Sequence, residues 1–527
     1  MTIDVSTRAR ADSALILQSY LAGVWRTGAA QGDALLNPVS GEALAYASSD
    51  GLDLVAALDH TRRIGGPALR ALDFSARAGL LGRIAETLQA RRDDWYEISR
   101  LNSGNTKADA VIDVDGAIGV LKYYAKLGAG LGQTRLLTDG APQRLGRDPA
   151  FQGQHIGAPI TGAAVHINAY NFPAWGLWGK AAVALLSGVP VLAKPATSTA
   201  WLAEEMVRAV VDAQILPAGA LSLICGSPGN LLDLLGPGDA VAFTGSAQTG
   251  AKIRAALADK GVRLNIEADS LNSALLGPEI EPGSVMFDLL VAEVVKEMTQ
   301  KAGQKCTAIR RVFAPADIAD ALAGAILEKL AAVTVGDPAE PATTMGPVVD
   351  QRQSATIARQ LESLTQAAAE RLTPEPSKTL AGAYVQPTLL RIREGGTLVH
   401  DLEVFGPVAT LIPYRSIDEA FQLARRGGGS LVASVFSDDI AFLAMAATQL
   451  ATSHGRVLLV DPSIGQSHSG HGVVLPQCQH GGPGRAGDGA EMGGSRGLWF
   501  YHQRTAVQAS AEVLAQLAGQ LADVSVH

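Results

Sequence analysis

Between Gly162 and about Leu276 the chain alternates short, almost unbroken apolar runs with longer segments whose apolar positions recur at helical spacing. "GAAVHINAY", "VPVLAKPA", "LSLICG" and "DAVAFTGS" read as strands. "WGKAAVALLSG", closed by Gly188, "TAWLAEEMVRAVVDAQ" and "AQTGAKIRAALADKG" read as helices, with a short helical "LLDLLG" among them. Buried parallel strands interleaved with such helices predict a doubly wound α/β sheet, whose βα turns are the default place for a nucleotide. A second α/β unit begins with the long amphipathic "MFDLLVAEVVKEMTQKAG" and runs on through "DLEVFGPVATLIPY", "IDEAFQLARRG" and "LVASVFSD". The glycine-dense "HGGPGRAGDGAEMGG" predicts ordered loop rather than core. No long Pro/Ser linker separates the halves, so packed domains with a cleft between them are expected.

Composition narrows the classes. The 527 residues, 47% hydrophobic and 18% charged, are globular material for about two to four domains. A net charge of −8 argues against generic nucleic-acid binding, which needs a concentrated basic face. The longest nearly apolar run, Ala181 to Ala193, is too short to span a bilayer, and no secretory pattern opens the chain. Three widely spaced cysteines, Cys225, Cys306 and Cys478, make no disulfide framework, and a cytoplasmic setting is expected.

Candidate chemistry then comes from a few positions. In "AFTGSAQTG", Gly245 permits close backbone approach and Ser246 can cap the next helix, which suits a pyrophosphate; an ordinary capped turn reads the same. "GGPGRAG" contains G-x-G-x-x-G but follows no apolar strand, so it is not a dinucleotide loop. His454, His468, His471 and His480 with Cys478 fit no zinc spacing and read as polar loop residues, so no metal is expected. Cys225 reads as a small buried hydrophobe. Cys306, beside Lys305 and just past a long helix, reads instead as an accessible thiol whose cationic neighbours and free amides favour thiolate, a nucleophile for carbonyl carbon. Asn171 in "NAYNFPAWG" is a candidate oxyanion donor. Glu267 in "LNIEADSLNS" is either a general base or the partner of a nearby Lys or Arg.

"NAYNFPAWGLWGKAAVALLSGVPVLAKPA", "FTGSAQTG", "NIEADSLNS", "GQKCTAIRR", "VGDP", "MGPVVD" and "EVFGPV", in this order over nearly the whole chain, resemble the aldehyde dehydrogenase superfamily. "EADSLNS", "AGQKCTAIRR", "SHGRV" and "HGGPGRAG" resemble its branch acting on CoA thioesters in aerobic aromatic-acid degradation. The resemblance implies an α/β subunit with a Rossmann-type cofactor domain at 1–133 and 157–268 and a catalytic domain at 269–478. A β oligomerisation arm at 134–156 and 499–527 would complete it and join a homodimer. It implies Cys306 as nucleophile, Glu267 as base, Asn171 as oxyanion donor and Lys180 as proton-relay lysine. The implied cofactor positions are Ile167, Lys194, Thr197, Gly226, Phe243, Gly245, Ser246, Glu403 and Phe405.

Two departures from the family pattern carry expectations. Thr197 stands where many NAD-preferring members have glutamate, and with Lys194 nearby it would accept a 2′-phosphate, so NADP is favoured over NAD. "EADSLNS" replaces a glycine-containing loop after the base. The expected substrate is a small CoA-linked semialdehyde, with Arg310, Arg311, Arg485 and Arg496 as candidate partners for its phosphates. Retention of Glu267 favours water over free CoA as acyl acceptor, the alternatives being a CoA-acylating enzyme or a catalytically silent homologue. The chain ends without an added hydratase domain, so the stand-alone benzoate-route type is expected over the phenylacetate type.

Overall fold

The computed structural model describes residues 10–11, 14–375, 380–490 and 492–523. The opening nine residues, where no secretory pattern was found, and the last four of the expected arm lie outside them. Among the described residues the strands fall into four sheets. The first large sheet runs in the order Arg263–Glu267, Ala240–Thr244, Ala164–Ile167, Val191–Lys194, Leu221–Leu223, and the hairpin Ser19–Leu21 and Val24–Arg26 extends its edge. Its first five strands are parallel. Chain order reverses between Ala164–Ile167 and Ala240–Thr244, and a crevice opens beyond the carboxyl ends of strands at such a point.

Both faces of this sheet are covered. Val191 and Ala193 join a core with the helices Phe74–Ala90, Lys107–Leu131, Pro173–Leu186 and Ala200–Asp212. Leu192, Val241 and Phe243 face the other way, onto Leu54–His60 and Ala247–Leu257. Two buried faces explain why these strands read as unbroken apolar runs rather than alternating ones.

The second large sheet has the order Ala369–Arg371, Thr388–Ile392, Val408–Tyr414, Arg311–Pro315, Ser273–Leu276, Ser430–Phe436, His454–Val460. Leu275 and Phe313 pack on one side of it, Ala274, Leu276 and Val312 on the other. Ser273–Leu276 therefore belongs to this sheet, although the apolar rhythm places it with the first unit; the chain crosses between sheets just after Glu267. Leu136–Arg144 and Phe151–Pro159 form a hairpin, and His502–Ser510 pairs with its second strand as a largely exposed edge. No described helix is long and apolar enough to cross a membrane.

Candidate active site

Cys306 stands where two cavities meet. The larger, about 530 Å³, runs along the carboxyl ends of the first sheet. The smaller, about 120 Å³, is walled by Phe172, Trp175, Val473, Val474 and Met492. Asn171, Thr244, Glu267 and Cys306 line both. Thus three separately encoded positions, Asn171, Glu267 and Cys306, converge at one junction.

The chain approaches Cys306 through an unusual backbone. After the helix Val285–Thr299, the residues Lys301, Ala302 and Gly303 have φ of 53°, 50° and 69°. Each left-handed non-glycine residue costs roughly 1–2 kcal/mol and persists only where its surroundings over-determine it. Here Asp109 accepts the Lys301 amide at 2.8 Å. The buried Arg310 guanidinium donates to the carbonyls of Gly303 at 2.9 Å, Lys305 at 3.2 Å and Gly406 at 2.7 Å. Asn272 completes the clamp by donating to the Cys306 carbonyl at 2.8 Å and to that of Ala308 at 2.9 Å. Its neighbour Ser270 donates its amide to Glu403 at 2.9 Å. The polar residues of "EADSLNS" therefore tie the strand end of Glu267 to the nucleophile loop and to Glu403.

Glu267 ends its strand against the glycine-dense segment. Ala268 donates to the Ala486 carbonyl at 3.1 Å, and Asp488 donates to that of Ile266 at 2.8 Å, so the two stretches form a short antiparallel bridge at Gly487. Gly487 has φ of 98°, and a Cβ there would overlap the Ile266 carbonyl oxygen. Glycine is required because the backbones touch. This strap carries His480, whose Nε2 lies 3.1 Å from Glu267 Oε1 and 4.0 Å from Cys306 Sγ. His480 is thus a site residue, not the polar loop residue its spacing suggested. The density of glycines was the available signal, since glycines cluster where backbones approach closely.

Charge at the junction differs from expectation. Burial alone would raise the Glu267 carboxyl, but His480, the Cys306 thiol and Lys180 bring it down to about 2. Burial and the adjacent Glu267 carboxylate push the Cys306 thiol well up, so the depressed thiol expected from neighbouring cations is not found. Lys305 still pulls the other way but is outweighed, its ammonium being engaged by Glu297 and Gln300 at 2.6 Å from each. Lys180 reaches Thr244 Oγ1 at 2.6 Å, and that hydroxyl lies 3.4 Å from Glu267 Oε2.

Lys194, Thr197, Phe243, Gly245, Ser246, Glu403 and Phe405 line the larger cavity, and Lys180 lines the smaller. Ile167 and Gly226 line neither. Ile167 packs on the apolar cluster beneath the sheet, and Gly226 abuts the Ser48–Ser49 backbone while its carbonyl accepts from Thr197 Oγ1 at 3.3 Å. Ser246 caps the helix Ala247–Leu257, accepting from the Thr249 amide at 3.2 Å. A Cβ at Gly245 would strike the Phe243 ring, so glycine is needed for that ring to keep its place in the cavity wall. Burial raises the Glu403 carboxyl to about 7 despite Arg310 beside it. Two of the candidate phosphate-binding arginines are excluded: Arg310 is buried against Glu403, and Arg311 is fully buried, donating to the carbonyls of Leu271, Leu423 and Ala424. Arg485 donates to the Asp401 carbonyl, and Arg496 is exposed.

Against known proteins, the sequence matches the aldehyde dehydrogenase family over residues 25–507. The chain belongs to that family. It is 51% identical over 477 residues to the 3,4-dehydroadipyl-CoA semialdehyde dehydrogenase of Aromatoleum evansii, covering 89% of this chain and 93% of the relative. It is 30% identical over 473 residues to a succinate-semialdehyde dehydrogenase [NADP(+)] of Mycobacterium ulcerans, covering 88% and 96%. Among solved structures, lactaldehyde dehydrogenase of Escherichia coli superposes with a TM-score of 0.83 at 22% identity, covering 94% of this chain and 99% of that one. Betaine aldehyde dehydrogenase of Staphylococcus aureus in complex with NAD+ superposes at 0.82 and 22% identity, covering 94% and 95%. This aldehyde dehydrogenase therefore has the α/β fold of its family and is an oxidoreductase acting on aldehydes.

Proposed function

We propose that this aldehyde dehydrogenase oxidises a CoA-linked semialdehyde of the 3,4-dehydroadipyl-CoA type to the carboxylic acid, with NADP, in aerobic aromatic-acid degradation. The observation that carries this reading is the 51% identity to the Aromatoleum evansii enzyme over almost the full length of both chains. The preference for NADP rests on Lys194 and Thr197, which line the larger cavity together with no carboxylate at position 197 to repel a 2′-phosphate. The pyrophosphate would lie at the turn Gly245–Ser246, where the helix amides begin.

The residues divide the chemistry between them. Cys306 gives its thiol proton to solvent in the cavity and its Sγ adds to the aldehyde carbon; the resulting oxyanion is held by Asn171, whose Nδ2 also donates to the Gln304 carbonyl at 3.0 Å. A nicotinamide cofactor held along the larger cavity would supply the hydride acceptor needed for the adduct on Cys306 to become a thioester. Glu267, held ionised, takes a proton from water as that water attacks the thioester carbon, releasing the acid and the Cys306 sulfur. The hydrogen-bonded series Glu267, Thr244, Lys180 offers the proton a way out. Glu267 beside Cys306 favours water over free CoA as the acceptor.

We also infer a homodimer built on the arm at 134–156 and 499–527, supported by the exposed edge strand His502–Ser510. Steady-state kinetics with NAD against NADP, on short free aldehydes and on a CoA-linked semialdehyde, test the reading. The expected result is a kcat/KM highest for the CoA-linked substrate with NADP and independent of added free CoA. Acyl-CoA formation dependent on added CoA would sink it.

A further inference from the structure

We propose that Cys306, Glu267 and His480 also form a binding site for a thiophilic divalent cation of the Zn²⁺ class, and that occupation of this site reversibly switches the enzyme off. The Cys306 sulfur, the His480 imidazole and a Glu267 carboxylate oxygen all lie within 4.8 Å of one another. His480 Nε2 is 4.0 Å from the sulfur and 3.1 Å from Glu267 Oε1. A tetrahedral zinc with bonds of about 2.0–2.3 Å spaces its sulfur, nitrogen and oxygen donors about 3.4–3.6 Å apart. The two separations to the imidazole bracket that spacing, so side-chain adjustments within the junction bring the three donors onto one ion.

Three further observations support a ligand here. Glu267 and His480 are 6% and 8% exposed, and Glu267 Oε1, although close to the imidazole, has no aligned hydrogen-bond partner. The three donors are preorganised: Asn272 pins the Cys306 carbonyl, and the bridge at Gly487 fixes the Glu267 strand to the strap that carries His480. Charge also balances, because one thiolate and one carboxylate neutralise a divalent ion while the imidazole adds none, and a neutral cluster is the form that tolerates burial. Sulfur and nitrogen donors select Zn²⁺ over Mg²⁺ or Ca²⁺, which take all-oxygen shells. Binding forms a metal–sulfur bond and releases the thiol proton to solvent. Water takes the fourth position, as at other three-ligand sites.

The site itself stands on geometry, whereas its effect on turnover rests on Cys306 and Glu267 being nucleophile and base. The test uses the fully reduced full-length protein, without oxygen, titrated with Co²⁺ as a spectroscopic stand-in. A thiolate-to-cobalt charge-transfer band should grow to saturation at one ion per chain, and Zn²⁺ should displace it. The band should vanish in Cys306→Ala and persist in Cys478→Ser, whose thiol is on the surface. Loss of an outer-shell partner weakens metal binding roughly 10- to 100-fold, so His480→Ala should weaken it by more than that. His480→Asn, which keeps a polar side chain, should do the same. Aldehyde oxidation should fall in step with the band and return on chelation. Absence of the band, its survival in Cys306→Ala, or wild-type cobalt affinity in both His480 variants overturns the site. A saturating band with turnover unchanged would leave the site standing and overturn Cys306 as the nucleophile.

Discussion

Replacing Glu267 by Gln should make Cys306 more reactive towards an alkylating agent while stopping the enzyme from completing its cycle. The carboxylate and the sulfur lie within 4.8 Å of one another. At an effective dielectric of about 20, a unit charge at that distance opposes a second like charge by about 3 kcal/mol. Removing it raises the thiolate fraction near neutral pH by up to roughly 100-fold, at about 1.4 kcal/mol per decade. The intrinsic nucleophilicity of a thiolate falls as it becomes easier to form, which takes back about half of the logarithmic gain. The net expectation is about tenfold faster alkylation of Cys306 by iodoacetamide, read by peptide mass spectrometry at fixed pH in a Cys478→Ser background. In the same variant, steady-state aldehyde oxidation should fall by about 10² to 10⁴, the usual loss of a general base. An alkylation rate equal to or slower than that of the parent would refute the reasoning, because Glu267 would then not be the charge that suppresses the thiolate.

Four other substitutions and conditions follow from the same geometry. Thr197→Glu should shift the NADP-to-NAD ratio of kcat/KM towards NAD by at least about tenfold, since a carboxylate in the cavity wall repels a 2′-phosphate. Gly487→Ala should lower the unfolding temperature and turnover together, because its Cβ meets the Ile266 carbonyl and its φ of 98° disfavours side chains; calorimetry and kinetics on one sample check this. Asn272→Ala should leave the protein folded but reduce kcat by roughly tenfold or more, since the Cys306 carbonyl loses its anchor. Glu403 gives a pH signature. Its carboxyl rises from 4.5 to about 7 in the folded chain, so the folded state holds a proton that the unfolded state releases. That stability is present below pH 4.5 and is lost as pH rises to about 7, roughly 3 kcal/mol in all. Glu403→Gln should therefore gain stability relative to the parent as pH rises, measured by denaturant unfolding at several pH values.

The first sheet and its helices were legible in the sequence because two buried faces leave apolar runs of strand length between helical ones. Asn171, Glu267 and Cys306 were legible as candidates, and the fold brings all three to one junction. What joins them was not. Local spacing cannot show that Ser273–Leu276 changes sheets, because its apolar run suits either one. Nor can it show that Asn272 holds the Cys306 carbonyl from across the fold, or that the strap at Gly487 brings His480 to within 3.1 Å of Glu267. Lys305 misled for the same reason: its position beside Cys306 in the chain says nothing of the buried Glu297 that claims its ammonium 2.6 Å away. Arg310 and Arg311 were candidates for the CoA phosphates but are buried anchors of loops, a distinction that only their burial reveals.

The most direct test of the catalytic proposal is to trap the intermediate. The Glu267→Gln variant is mixed with a CoA-linked semialdehyde and NADP, quenched within one turnover, digested, and its peptides weighed. The expected result is a thioester-linked acyl-CoA increment on the peptide carrying Cys306, formed with one equivalent of NADPH. NADPH formation with Cys306 unmodified, or an adduct on Cys225 or Cys478 instead, would contradict it.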